Sequence, residues 1–287
     1  MKIQNFIEYA YGRLTRKYPA KKIKLCSSEK SRLDYYIKLQ NNLLKKTCAA
    51  NSVTLRNSPS SYYLDWYRLI SHMDDRLCAY RFGDITHHFN QPTFTKSRPI
   101  SSLSNNVLLP LNTIRHLNFI NDPVPFLKKK EMAVWRGAAY RESRKKFLSA
   151  SQGIQTCDVA DTSKNSLDKH YMPIRKQLKY KYIFAIEGND VATNLKWIMS
   201  SNSIPVMPKP RYETWFCEGR LIAGQHYIEI ANDFSDIEKV IETYSSQPRL
   251  LSEINDESKQ YANMFSSFER QFSLGRMVID IYFDLIK

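Results

Sequence analysis

The sequence is short of several things, and each shortage removes a class of protein. No apolar run approaches the roughly 18 residues that a spanning helix requires, so no transmembrane segment is expected. The first 22 residues hold no continuous apolar stretch and no small-residue cleavage site, so no secretory leader is expected. Cysteine is sparse: Cys26, Cys48, Cys78, Cys157 and Cys217 are odd in number, widely spaced and without a Cys-x-x-Cys pair. That speaks against a disulfide framework or a zinc site and fits a reducing compartment. Glycine occurs only 8 times in 287 residues, in neither a GxGxxG nor a Walker pattern, so dinucleotide-binding and NTPase readings gain no support. Zinc-finger, RRM-type and coiled-coil basic-region patterns are missing too, so nucleic acid is not expected as a partner. Acidic residues are the last shortage, with 28 Asp and Glu against 43 Lys and Arg, a formal net charge of +15.

What remains is a soluble, basic, intracellular protein with material for a core. Hydrophobic residues make up 43% and aromatics 13%, which excludes global disorder. At roughly 100–200 residues per domain the length suits two domains. Residues 1–60 carry thirteen Lys or Arg and three Asp or Glu, a local net of +10. There Ile3, Phe6, Ile7, Ala10 and Leu14 recur at helical spacing, with Lys2, Arg13, Arg16 and Lys17 on the polar side. Three readings fit this stretch: a helix resting peripherally on an anionic membrane, a phosphate-binding patch with tyrosines for stacking, or the solvated face of a packed helix.

Turn signals cluster at Asn121, Asp122, Pro123, Val124 and Pro125, which sets the expected division. Residues 1–122 form an N-terminal domain with a basic helical start, 123–265 a second domain, and 266–287 a final helix. In the first domain the pattern predicts a helix over 62–73, a short strand around Tyr80, Arg81 and Phe82, and a long loop-rich run through Pro92, Pro99 and Pro110. In the second, strands over 132–135, 154–159, 182–186, 204–207 and 227–230 alternate with helices over 142–150, 192–199 and 235–244. Such alternation is the mark of a parallel, doubly wound α/β sheet. Helices over 251–265 and 274–286 close the chain.

Three segments combine chemistry with a favourable position. In the first, an apolar strand ending at Ile186 runs into Glu187, Gly188, Asn189 and Asp190, and then a helix holding Asn194, Lys196 and Trp197. Ligands of doubly wound sheets bind at the carboxyl ends of strands; glycine permits close approach, and a helix start offers unpaired N–H groups to a diphosphate. Lys196 would neutralise its charge; the competing reading is an ordinary capped strand–turn–helix connection. The second is Trp135, Arg136 and Gly137 at a strand end, followed by a helix with Arg141, Arg144 and Lys145. Arginine forks match phosphate oxygens, although a solvated helix face reads the same way. The third places Asp84 after Gly83 at a strand end, either a carboxylate for taking a proton from an alcohol or a simple Asx-type turn. His87 and His88 are adjacent and point apart on a strand, so no metal site is expected there. Asp74 and Asp75 sit side by side, and no Asp-x-Asp triplet occurs. Its absence weighs against metal-dependent sugar transferases that hold a nucleotide diphosphate through such a pair.

Taken in order, the segments resemble glycosyltransferase family 90, which holds bacterial lipopolysaccharide A proteins, fungal capsule-associated proteins and animal protein O-glucosyltransferases. The resemblance covers roughly residues 75–250. It is carried by Trp135, Arg136, Gly137 and Arg144; by Ile186, Glu187, Gly188 and Asn189; and by Asn194, Leu195, Lys196 and Trp197. Ser203, Ile204, Pro205 and Val206 belong to it, as do Tyr212, Glu213, Thr214, Trp215 and Phe216, then His226 and Tyr227, and finally Phe234 to Glu238.

The resemblance implies a GT-B-like architecture, two Rossmann-like halves facing across a cleft, with the C-terminal helix returning to the N-terminal half. It implies an inverting, metal-independent transfer from a UDP-sugar, with no cofactor. Asp84 falls where the family places its catalytic carboxylate, and Arg136 where it contacts the diphosphate. Glu213 lies near a carboxylate that holds ribose hydroxyls. Gly137, Arg141, Arg144, Glu187, Gly188, Asn189, Asp190, Asn194 and Lys196 complete the expected donor site. The chain departs from the animal members at Ala192 and Asn194, where they carry Ser and Arg, and again at Asp190 and Val191. One phosphate-binding cation is thereby lost, and Lys196, Arg141 or Arg144 would replace it. The implied acceptor is a hydroxyl of lipopolysaccharide core or a related lipid-linked glycan, met at the cytoplasmic face of the inner membrane. A capsule or protein acceptor, and a non-catalytic basic glycan-binding module, stand as alternatives.

Overall fold

The computed structural model describes residues 24–53, 60–70, 76–163 and 170–286. The amphipathic stretch at Ile3–Leu14, and Asp74 and Asp75, lie outside them. The chain divides into two compact units. One holds the described residues up to His116, Glu213–Trp215, and the chain from Ser267 on; the other holds Leu117–Tyr212 and Phe216–Ser266.

The second unit is built on a five-stranded, wholly parallel sheet. Its strands are β7 (Lys130–Gly137), β8 (Cys157–Asp161), β9 (Tyr180–Phe184), β10 (Ile204–Met207) and β12 (Ile228–Glu229), in the spatial order β8-β7-β9-β10-β12. Counting these strands along the chain, the order is 2-1-3-4-5, a doubly wound arrangement whose direction of growth reverses between β7 and β9. Helices α4 (Glu142–Ser151), α5 (Ile174–Gln177), α6 (Leu195–Met199), α7 (Ile237–Ser245) and α8 (Pro248–Asn263) connect and cover the strands. The expected α/β class with a parallel sheet is therefore observed. β9 and β10 are buried at every position, as two-sided coverage demands, so they read as continuous apolar runs without alternation. The core includes an edge-to-face series of rings, Trp135–Phe147–Phe184 with Phe234 on Phe147, centroids 4.8–5.4 Å apart. Full burial of each such side chain contributes about 1.5–3 kcal/mol. Asp122 ties the start of this unit down, accepting from Lys129 Nζ at 2.7 Å, Val124 N and Asn202 N.

The first unit holds a three-stranded parallel sheet, β3 (Tyr80–Arg81), β4 (Thr93–Thr95) and β6 (Asn106–Leu108), ordered β3-β4-β6. Strands of two or three residues are fewer and shorter than a full Rossmann half contains. The run through Pro92 and Pro99 read from sequence as loop is thus partly strand. Beside this sheet β5 (Ser97–Pro99) pairs with β11 (Tyr212–Thr214), and β1 (Cys48–Ala49) pairs antiparallel with β2 (Leu77–Cys78). Helices α1 (Ser27–Tyr36), α2 (Ser60–Ile70), α3 (Thr113–His116) and the closing α9 (Phe268–Leu285) pack around them. Trp66, Tyr80, Phe82, Phe94 and Tyr282 form the aromatic centre. The Ser267 hydroxyl caps α9 by accepting from Arg270 N. A Cβ at Gly275 would stand 2.8 Å from Leu69 Cδ2, so only glycine lets α9 lie this close to α2.

Candidate active site

In a doubly wound sheet the ligand crevice opens at the strand carboxyl ends where the order reverses. Here that point lies between the end of β7, at Gly137 and Ala138, and the end of β9, at Ile186 and Glu187. Arg144, from the first turn of α4, spans it. Its guanidinium donates to Ile186 O at 2.9 Å and to Ala138 O at 3.2 Å, and rests over the Trp135 indole. Gly188 makes the approach possible, because a Cβ there would stand 3.1 Å from Arg144 Nη2. Arg141 precedes α4 and donates from Nε to Asn189 Oδ1, so the loops after β7 and β9 are joined at the surface as well. Arg141 is also the N-cap position of α4 and supplies no side-chain cap, so the helix start is left to amides and two arginines.

Beside this crest lies a pocket of about 170 Å³ lined by Ser143, Ile186, Glu187, Pro208, Arg211, Asn232 and Phe234. Its walls follow β7, β9, β10 and β12 in turn, all at their carboxyl ends. Glu187 is the acidic group within it, paired with Arg211. Burial raises its carboxyl above the usual carboxylate range, against the opposing pull of Arg211, which donates from N and Nε at 2.9 Å each. Ser143, Arg211 and Asn232 were missed from the sequence. Ser143 stands inside the basic segment singled out there; the other two are set only by strand ends that local pattern does not locate.

Other expected donor residues are placed differently. Arg136 turns back into its own sheet: Nη1 donates to Trp135 O and Asp158 O, Nη2 to Asp158 Oδ1 at 2.6 Å, and Nε to His170 O. Burial notwithstanding, bonds from Tyr180 and Arg136 hold the Asp158 carboxyl below its ordinary value. Arg136 is therefore a strut between β7 and β8 in this structure. Gly137 is glycine for packing, since a Cβ would fall 2.6 Å from the Trp135 ring. Lys196 is fully buried and donates to Glu218, itself buried, so its ammonium does not face the crest. Asn194 bonds inward to Phe184 O at 2.9 Å, and Asp190 is buried with its carbonyl accepting from Gly188 N. The expected helix start after Gly188 is also displaced: α6 begins only at Leu195 and runs five residues, and the helix start at the crest is that of α4.

Glu213 and Asp84 belong to the first unit. Glu213 is completely buried and accepts from Tyr35 Oη, from Arg98 Nε at 2.8 Å, and pairs with Lys38 at 3.4 Å. Arg98 also donates to the carbonyls of Tyr35, Tyr36 and Asn106, so the pair knits α1, β5, β6 and β11. A carboxylate so fully engaged is a structural anchor in this structure. Asp84 follows Gly83, whose φ of +111° is open to glycine and strained for other residues, in the turn leaving β3. A third of its side chain is exposed, and Oδ1 accepts from Lys96 Nζ at 2.6 Å.

Two comparisons bear on this geometry. The model of "Glycosyl transferase family 90" matches residues 108–286, which takes in the whole five-stranded sheet and its crest. The chain is also 40% identical over 265 residues to the "O-glucosyltransferase LpsA" of Dichelobacter nodosus, covering 90% of this chain and 83% of the relative. The chain belongs to glycosyltransferase family 90. As a member it is a glycosyltransferase enzyme, with a sugar donor and a glycan acceptor as its general substrates. The family match begins at Leu108, so Asp84 lies outside it, while the match to the relative extends over most of the chain. No described helix is long and apolar enough to cross a membrane.

Proposed function

We propose that this family 90 enzyme is an inverting transferase of GT-B type that moves glucose from a UDP-sugar to a hydroxyl of lipopolysaccharide core or a related lipid-linked glycan. The observation that carries the donor half is the crest at the strand reversal, where Arg141, Arg144, Gly188 and Asn189 meet the uncapped start of α4 beside the Glu187 pocket. Helix starts and arginine forks both favour the phosphates of a nucleotide diphosphate. The choice of glucose follows the relative's name, and the choice of acceptor follows the +10 balance of residues 1–60, which suits a phosphorylated glycolipid in an anionic membrane.

In this reading Asp84, as carboxylate, takes the proton of the acceptor hydroxyl while that oxygen attacks the anomeric carbon opposite the leaving UDP. Positive charge develops on the sugar as in other glycosyl transfers, and negative charge grows on the departing diphosphate. Arg141, Arg144 and the α4 amides stabilise that charge, the part a divalent ion plays elsewhere. A panel of UDP-sugars scored by UDP release, with and without EDTA, tests the proposal. UDP-glucose is expected to be turned over best and EDTA to leave the rate unchanged. Preference for another nucleotide, or loss of activity with EDTA restored by a divalent ion, would overturn the corresponding part.

A further inference from the structure

The turn that holds Asp84 and Ile85 is gripped by two consecutive residues of one segment. Lys96, directly after β4, is only 2% exposed, and its Nζ lies 2.6 Å from Asp84 Oδ1, while 32% of the Asp84 side chain stays open. Ser97 begins β5, and its hydroxyl accepts from Ile85 N at 3.0 Å, so the residue after Asp84 is pinned as well. Lysine ordinarily keeps its head in water and buries only its stem. A buried ammonium requires an opposite charge, and here the charge it meets is on a carboxylate that itself reaches solvent. A general base must be held in a narrow geometry toward the hydroxyl it serves. Resting on the reading of Asp84 as that base, we infer that Lys96 is a positioning residue for catalysis: its buried ammonium holds the Asp84 carboxylate in one orientation at the turn after β3.

Steady-state kinetics on Asp84→Asn, Lys96→Met, Lys96→Arg and the double variant Lys96→Met/Asp84→Asn test this, with UDP-glucose as donor and UDP release as readout. Asp84→Asn is expected to lose at least ~10²-fold in kcat. Lys96→Met is expected to lose about 10–100-fold in kcat with donor KM within about twofold, because it removes an interaction felt in the transition state and not in donor binding. Lys96→Arg, which keeps the charge, is expected to recover part of that loss. In the Asp84→Asn background Lys96→Met is expected to cost nothing more, since residues acting as a unit are non-additive. Should Lys96→Met not fold, Lys96→Gln, neutral but still a donor, carries the same kcat criterion. Wild-type kcat in Lys96→Met beside an inactive Asp84→Asn would overturn the role of Lys96 and leave the base in place. Multiplicative losses in the double variant would also overturn it. Near-normal kcat in Asp84→Asn would instead remove the base reading itself.

Discussion

Replacing Arg144 by methionine removes a guanidinium that bonds carbonyls on both sides of the strand reversal while keeping much of the side chain's bulk. Two carbonyls lose their donor: Ile186 O, on a buried residue, at 2.9 Å, and Ala138 O, half-buried, at 3.2 Å. Hydrogen bonds from a charged donor contribute about 1.5–3 kcal/mol, and water reaching the half-buried Ala138 side offsets part of the loss. The net cost is therefore about 1.5–3 kcal/mol, with Ile186 O supplying most of it. For a chain of this size that corresponds to a fall in Tm of about 2–5 °C. Arg144→Lys keeps the charge but has no fork to reach two carbonyls, so it should fall between wild type and Arg144→Met. Differential scanning calorimetry measures all three. A Tm for Arg144→Met within about 1 °C of wild type would refute the bridging role, because a lost charged bond to a buried carbonyl cannot be that cheap.

Two other perturbations have a definite sign. Arg270 holds the Glu29 carboxyl at about 2, below its ordinary 4.5, so this contact between α1 and α9 contributes fully above pH 4.5 and fades as pH falls toward 2. Glu29→Gln should flatten the dependence of Tm on pH in that window, and an unchanged slope would contradict the pairing. Lys196→Met leaves Glu218 buried without its counter-charge and should cost about 3–5 kcal/mol in denaturant titration, most of it recovered in Lys196→Met/Glu218→Leu. A double variant as unstable as the single would show that the pair is not the reason.

The sequence's legibility follows the physics of each segment. Strand β10 lies at Ile204–Met207, as its apolar run predicts, because Ser203 precedes it and Pro208 ends it. Strand β9 is displaced by two residues, at Tyr180–Phe184 in place of 182–186, since residues 180–186 are buried throughout and no alternation marks where pairing stops. Strands β4, β5 and β6 were hidden because Lys96 and Arg98 look solvent-loving, and only distant partners allow their burial. Arg98 is neutralised by Glu213, 115 residues away. The same blindness affected the site. Arg141, Arg144, Gly188 and Asn189 stand together because strand ends and helix starts bring them there, which alternating pattern reveals. Lys196 and Glu213 carry charges that look available in the sequence and are consumed by Glu218 and Arg98 in the fold.

The claim on which the functional reading depends is that the crest at the reversal between β7 and β9 holds the nucleotide diphosphate. Calorimetric titration of UDP into the wild-type enzyme and into Arg141→Ala tests it most directly, since Arg141 is exposed at the crest and its loss leaves the core intact. Wild type should bind UDP, and the variant should bind it about tenfold more weakly, a difference of about 1.4 kcal/mol. Equal affinity in the two proteins would place the diphosphate elsewhere.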